Sequence, residues 1–148
     1  MDEKVRQAIV EKVSNEPFGR KFGLRLIELE DGYSRVEMLY TPDMENMLGI
    51  AHGGAIFALI DEAFETASNS HGTVAVALNL SVTFIASPSK GSKLVAVARE
   101  ISRTAKTANY EIKVTDDHDN LVATCQALVY RKGVPLPFLR EEGSEAKT

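Results

Sequence analysis

Gly53 and Gly54 stand immediately before a run of apolar residues at helical spacing, and Asp61 follows eight residues after the first of them. A helix that starts there leaves its first backbone N–H groups without internal partners, at the positive end of the dipole. Two residues lacking side chains would let a ligand oxygen approach those donors, which is the arrangement of an oxyanion hole. The same pair would equally serve to pack a helix closely on a sheet. Asp61 falls at the margin of the apolar stripe, beside Phe57 and Phe64. A carboxylate there is either a partly desolvated base with a raised pKa or a solvated side chain. Glu62 and Glu65 lie further towards the polar side, where solvation is the expectation, for Glu62 above all.

Spacing constrains how these groups can work together. At 1.5 Å per residue, Gly53 and Asp61 are ~12 Å apart along a helix axis. One substrate carbonyl cannot touch both within a single chain. Two such helices lying antiparallel across a two-fold axis would bring the Asp61 of one to the Gly53 of the other, as an isologous dimer does. The expectation is a site shared between subunits.

The elements that must hold these groups are legible from pattern. Val5, Ala8, Ile9, Lys12 and Val13 follow helical spacing, so residues 1–16 are expected to carry a short amphipathic helix that Pro17 and Gly19 break. Strands are expected over Leu24–Glu30 and Tyr33–Tyr40 around the hairpin signal Asp31-Gly32. A loop, Thr41–Ala51, leads into a helix whose Ile56, Leu59, Ile60, Ala63, Phe64 and Ala67 make an apolar stripe too wide for a surface helix. It is expected to be wrapped by a sheet. Four further strands follow over Thr73–Ala86, Lys93–Ser102, Lys106–Thr115 and Leu121–Tyr130, joined by short turns that imply antiparallel pairing. One sheet around one central helix is an α+β architecture. Residues 1–138 read as a single domain and 139–148 as a disordered tail.

Composition narrows the function. The 148 residues carry a formal charge of −4, with no Trp and no Lys/Arg run, which argues against nucleic acid or a membrane surface as partner. No apolar run of export-signal or membrane-span length is present, and one cysteine, Cys125, fits a reducing cytoplasmic setting as an inert buried thiol. No Gly-x-Ser-x-Gly elbow or phosphate loop occurs, and three scattered histidines with one cysteine make no zinc set. His71 and His118 follow a helix end and a turn and carry no expected role.

Asn46, the run Gly49-Ile50-Ala51-His52-Gly53-Gly54, then Asp61-Glu62-Ala63-Phe64 and Asn69, together resemble the hotdog-fold acyl-CoA thioesterases, and most closely their PaaI-type group. The resemblance runs from about Phe18 to Arg131 and takes in Asn79–Phe84 and Arg103–Thr107. It implies a long helix wrapped by a curved antiparallel sheet, in homodimers that pair into homotetramers. It also implies a role for each matching residue. Asp61 would be the catalytic carboxylate, activating water or attacking the thioester, and the Gly53 N–H, with Gly54 beside it, would polarise the carbonyl. Asn46 and His52 would orient the site, although a histidine before a helix can also be only a cap. Glu65 would be a second polar residue holding the water, and Arg103 and Lys106 would meet the phosphates of coenzyme A unless they are only turn charges. No metal or cofactor is required.

The expected activity is therefore hydrolysis of an acyl-CoA, with a hotdog-fold hydratase or dehydratase and a non-catalytic acyl-CoA binder as alternatives. Phe57, Phe64, Met44, Met47 and Leu48 are the expected walls of the acyl pocket.

Overall fold

The computed structural model describes residues 1–139 of the chain. Its elements run α1 (Glu3–Ser14), α2 (Pro17–Phe22), β1 (Arg25–Glu30), β2 (Tyr33–Leu39), α3 (Gly53–Asn69), β3 (Thr73–Phe84), β4 (Lys93–Arg103), β5 (Thr107–Thr115) and β6 (Leu121–Pro135). The tail expected over 139–148 lies outside the described residues apart from Leu139, which closes a single helical turn, Pro137–Leu139. No helix among the described residues is long and apolar enough to cross a membrane.

The six strands form one antiparallel sheet in the order β1-β2-β4-β5-β6-β3. α3 lies on one face of it and touches all six strands. Leu59, Ile60, Ala63, Phe64 and Ala67 of α3 are almost fully buried against Val36, Met38, Leu94, Ile112 and Val114. The stripe read from the sequence is thus the seam between helix and sheet. This is the wrapped helix of a hotdog fold.

Three features differ from the sequence expectation. Pro17 does not end the helical region but opens α2 at its first position, where a residue without an N–H costs no hydrogen bond. β6 runs to Pro135 because its far end pairs with the start of β3, Thr73 opposite Pro135 and Ala75 opposite Arg131. β3 and β4 are not neighbours: the chain crosses from one edge of the sheet to its interior between them. That leaves β3 as an edge strand, with Val76, Leu78 and Phe84 exposed and Ile85 exposed just beyond it.

A second, smaller core joins α1 to the sheet. Ile9, Leu29 and Leu136 are buried there, with Val5, Val13 and Phe138 packed around them. Asp2 caps α1 by accepting from the Val5 N–H at 3.1 Å.

Candidate active site

His52 is the N-cap of α3, and its Nδ1 accepts the Gly54 N–H at 2.8 Å. A ring nitrogen that accepts carries no proton, so in the neutral ring the proton sits on Nε2, as a donor. The His52 N–H is in turn held by the Met44 carbonyl at 2.7 Å, which ties the loop to the helix. Gly54 is bare because that ring lies over it: an added Cβ would sit 3.0 Å from Nδ1. Its donor is therefore spent inside the chain. The Gly53 N–H has no hydrogen-bond partner among the described residues. Phe84 packs over the same residue, and a Cβ on Gly53 would meet its Cζ at 3.1 Å. Close packing and a free donor thus coexist at Gly53.

Asn46 shapes the loop before the helix. Its Oδ1 accepts from the Leu48 N–H at 2.9 Å and the Ile50 N–H at 3.3 Å, around Gly49 in the left-handed region at φ 73°. The carboxamide oxygen is engaged by this turn, and the amide NH₂ is left to donate outward.

Asp61 is half-buried on the flank of α3, with no hydrogen-bond partner among the described residues. Burial raises its pKa first, and the charge of Glu16 adds to it. Its charge adds to the burial that raises the Cys125 thiol on β6. A desolvated, unpaired carboxylate is the form a base or nucleophile takes.

Glu62 overturns its expectation. Only 3% of it is exposed, because α2 folds across that face of α3 and Gly19 lies against its carboxyl group. One carboxylate oxygen from each of Glu16, Glu62 and Glu65 lies within 4.8 Å of the others, the one group among the described residues with the spacing to hold a cation. Desolvation, then the charges of Glu16 and Glu65, push Glu62 up to about 8. Glu65, open to solvent on one side, is raised by desolvation and then by Glu16 and Asp61. Glu16 was invisible to spacing arguments because it stands 45 residues before Asp61, on another element.

Arg103 and Lys106 flank the β4–β5 turn, beyond the C-terminal end of α3. Arg103 bonds His71 and approaches Glu100, which also accepts from Tyr110 and meets His71, both at 2.7 Å. Burial pushes Glu100 up, but the His71 and Tyr110 hydrogen bonds outweigh it and hold its carboxylate below the usual range. His71, for which no chemical role is expected, ties the end of α3 to the sheet. Lys106 is exposed in the turn itself. Met44 and Phe64, expected as pocket walls, are instead buried in the main core, whereas Phe57, Met47 and Leu48 are exposed.

Within one chain the structure leaves Gly53 and Asp61 two turns apart on an unbroken helix. It brings Gly53, Gly54, His52 and Asn46 together at one end, Asp61 and Glu65 in the middle, and Arg103 with Lys106 beyond the other end.

The thioesterase superfamily model matches residues 48–123, which contain α3 and its cap. A putative esterase of Archaeoglobus fulgidus is 40% identical over 113 residues, covering 76% of this chain and 73% of the relative. The acyl-coenzyme A thioesterase PaaI of Escherichia coli is 29% identical over 133 residues, covering 90% and 95%. The solved structure of E. coli PaaI superposes with a TM-score of 0.85 at 28% identity, covering 90% of this chain and 96% of that one. A Streptococcus mutans protein solved with acetyl CoA gives 0.73 at 26%, covering 76% and 91%. The chain belongs to the thioesterase superfamily and is a PaaI-like, hotdog-fold thioester hydrolase.

Proposed function

We propose that the protein hydrolyses an acyl-CoA thioester to a free acid and coenzyme A, at a site completed by a second copy of the chain. The observation that carries it is the pairing on α3 of an unpartnered backbone donor at Gly53 with an unpartnered, desolvated carboxylate at Asp61. The thioester carbonyl oxygen accepts from the Gly53 N–H of one subunit. Water, with its proton passing to Asp61 of the other, attacks the carbonyl carbon. The oxyanion collapses, the C–S bond breaks, and the thiolate of coenzyme A recovers the proton from Asp61. In the alternative course Asp61 attacks directly, expels the thiolate, and water then hydrolyses the mixed anhydride.

The remaining residues take supporting roles. The His52 Nε2–H and the Asn46 amide orient the thioester or the water, and Glu65 holds that water one turn beyond Asp61. The Gly54 N–H is held by His52, so Gly54 serves by leaving room for that ring.

Two features favour assembly. β3 leaves one edge unpaired and exposes Val76, Leu78, Phe84 and Ile85 there, surface that a second β3 would pair and cover. α3 has 17 residues, so an antiparallel pair sets the C-terminal end of one helix, ~24 Å away in its own chain, beside the N-terminal end of the other. Arg103 and Lys106 then approach the partner's oxyanion donor, where the phosphates of coenzyme A would lie. Pairing of such dimers into tetramers is the further expectation from the resemblance. No cofactor enters this chemistry, and a single buried cysteine suits a reducing cytoplasm.

Thiol detection across a series of acyl-CoA esters tests the activity. Release of one thiol per ester consumed is expected. Hydration of an enoyl-CoA without thiol release would favour a hydratase, and tight binding without turnover a non-catalytic binder.

A further inference from the structure

A cavity of about 590 Å³ opens between α1, α3 and the end of β6, within the ~300–1,000 Å³ range of small-molecule pockets. Ile9, Val13, Pro17, Ala75, Leu136 and Phe138 supply its apolar wall. Asn15, Thr66 and Asn69 in its lining are engaged within the chain, while Lys12, Glu16 and Glu65 bring charged groups to it. The Asn69 amide donates to the Glu65 and Ala75 carbonyls at 3.0 and 3.2 Å, and its oxygen accepts from the Ala75 N–H at 2.9 Å. The Thr66 hydroxyl donates to the Glu62 carbonyl at 2.8 Å. The Asn15 amide donates to the Glu11 carbonyl at 2.9 Å, and its oxygen accepts from Arg20 at 2.9 Å. An occupant of this space therefore meets carbon along the Ile9, Val13, Leu136 and Phe138 wall, with the charged groups of Lys12, Glu16 and Glu65 beside it. Glu65 lines the cavity one helical turn, ~6 Å, past Asp61 on the same helix.

We propose that this cavity receives the acyl chain of the substrate, and that α1 with the Leu136–Phe138 segment sets the length of chain accepted. The inference rests on the thioesterase reading and adds its specificity. An acetyl group is too short to leave the neighbourhood of Asp61, whereas a medium-length alkyl chain runs on past Glu65 towards Asn69. Most of the apolar wall comes from the far ends of the sequence, apart from Ala75 of β3. The Glu65 carboxyl in this lining is raised, first by desolvation and then by the charge of Glu16.

The test is a substrate series, acetyl-, hexanoyl- and decanoyl-CoA, on the full chain and two variants. Val13→Trp fills the cavity from α1, and Phe138→Ala widens it from the other wall. Val13→Trp is expected to lower kcat/KM for decanoyl-CoA by about tenfold or more relative to acetyl-CoA, the scale on which a pocket discriminates a few methylenes. Phe138→Ala is expected to move the preference towards longer chains. Parallel changes for all three esters in both variants overturn the proposal. A second measurement does not need turnover: octan-1-ol, an uncharged alkyl chain, is titrated into wild-type protein and methyl NMR signals are followed. Shifts at Ile9, Val13 and Leu136 support the cavity, and shifts confined to other methyls overturn it. If wild-type protein releases no thiol from any ester, the thioesterase reading fails, and the octan-1-ol titration alone decides the cavity. If thiol is released but neither variant alters the chain-length preference, the cavity proposal fails and the thioesterase reading stands.

Discussion

Replacing Gly53 by proline removes the one backbone donor on which the oxyanion role depends while leaving the helix a way to form. Position 53 is the first residue of α3, where proline is tolerated because the N–H has no intrahelical partner. The preceding residue, His52, already has φ −65° and ψ 130°, the extended backbone that a following proline demands. No hydrogen bond is lost, since the Gly53 N–H makes none among the described residues. The cost is steric: a Cβ would meet Phe84 Cζ at 3.1 Å, so that ring must give by a few tenths of an ångström. Gly53→Ala brings the same Cβ and keeps the donor, so the ratio between the two variants isolates the N–H. Loss of one oxyanion donor costs ~10²–10³ in kcat, or about 2.7–4 kcal/mol of transition-state stabilisation. Gly53→Pro should therefore turn over about a hundredfold or more slower than Gly53→Ala. Both should melt close to wild type, because the stiffer backbone gains ~0.4–1 kcal/mol against the contact with Phe84. The assay is thiol release at saturating acyl-CoA, with Tm measured in parallel. Equal turnover in the two variants, both folded, refutes the donor role of Gly53.

Asp61→Asn keeps the shape of the side chain and removes the base or nucleophile. It should lower kcat ~10²–10⁴-fold with KM little changed and Tm equal or higher, since a desolvated charge beside Glu16 is relieved. Near wild-type turnover would take Asp61 out of the mechanism. Glu62 gives a pH signature in stability. A carboxyl whose folded pKa is raised binds more protons folded than unfolded, so its contribution is greatest below the ordinary value of 4.5 and is lost as pH rises to about 8. Tm should fall across that window as Glu62 ionises against Glu16, Glu65 and Asp61, and Glu62→Gln should flatten the fall; an unchanged profile in the variant contradicts the assignment. Lys106→Ala should raise KM for acyl-CoA several-fold, with kcat held and a weaker response to salt, while leaving Tm unchanged because the side chain is exposed. An unchanged KM would reduce Lys106 to a turn charge.

Much of this fold was legible because its signals are local. The period of Ile56, Leu59, Ile60, Ala63 and Phe64 found α3, Asp31-Gly32 found the β1–β2 turn, and alternation found the other strands. The bare start of α3 and the marginal position of Asp61 were likewise visible in sequence. What was hidden depends on contacts between distant segments. Glu62 faces outward on an isolated helix, and only α2 lying across it makes it buried. Glu16 joins the acidic cluster from the opposite end of the domain, and Phe84 reaches Gly53 from β3. The crossing of β3 to the far edge of the sheet could not be read from turn lengths, since β3 pairs with β6, three strands on in the chain, rather than with β4. The helical wheel fixes direction, not coverage.

The shared site is tested most directly by mixing two inactive chains. Subunits carrying Asp61→Asn, bearing one affinity tag, and subunits carrying Gly53→Pro, bearing another, are co-expressed and the mixed dimer isolated through both tags. One of its two sites then joins an intact Asp61 from the Gly53→Pro chain to an intact Gly53 from the Asp61→Asn chain. Thiol release should return to about half that of wild-type dimer, one of two sites being whole. A mixed dimer as slow as either parent would mean that a single chain must supply both groups.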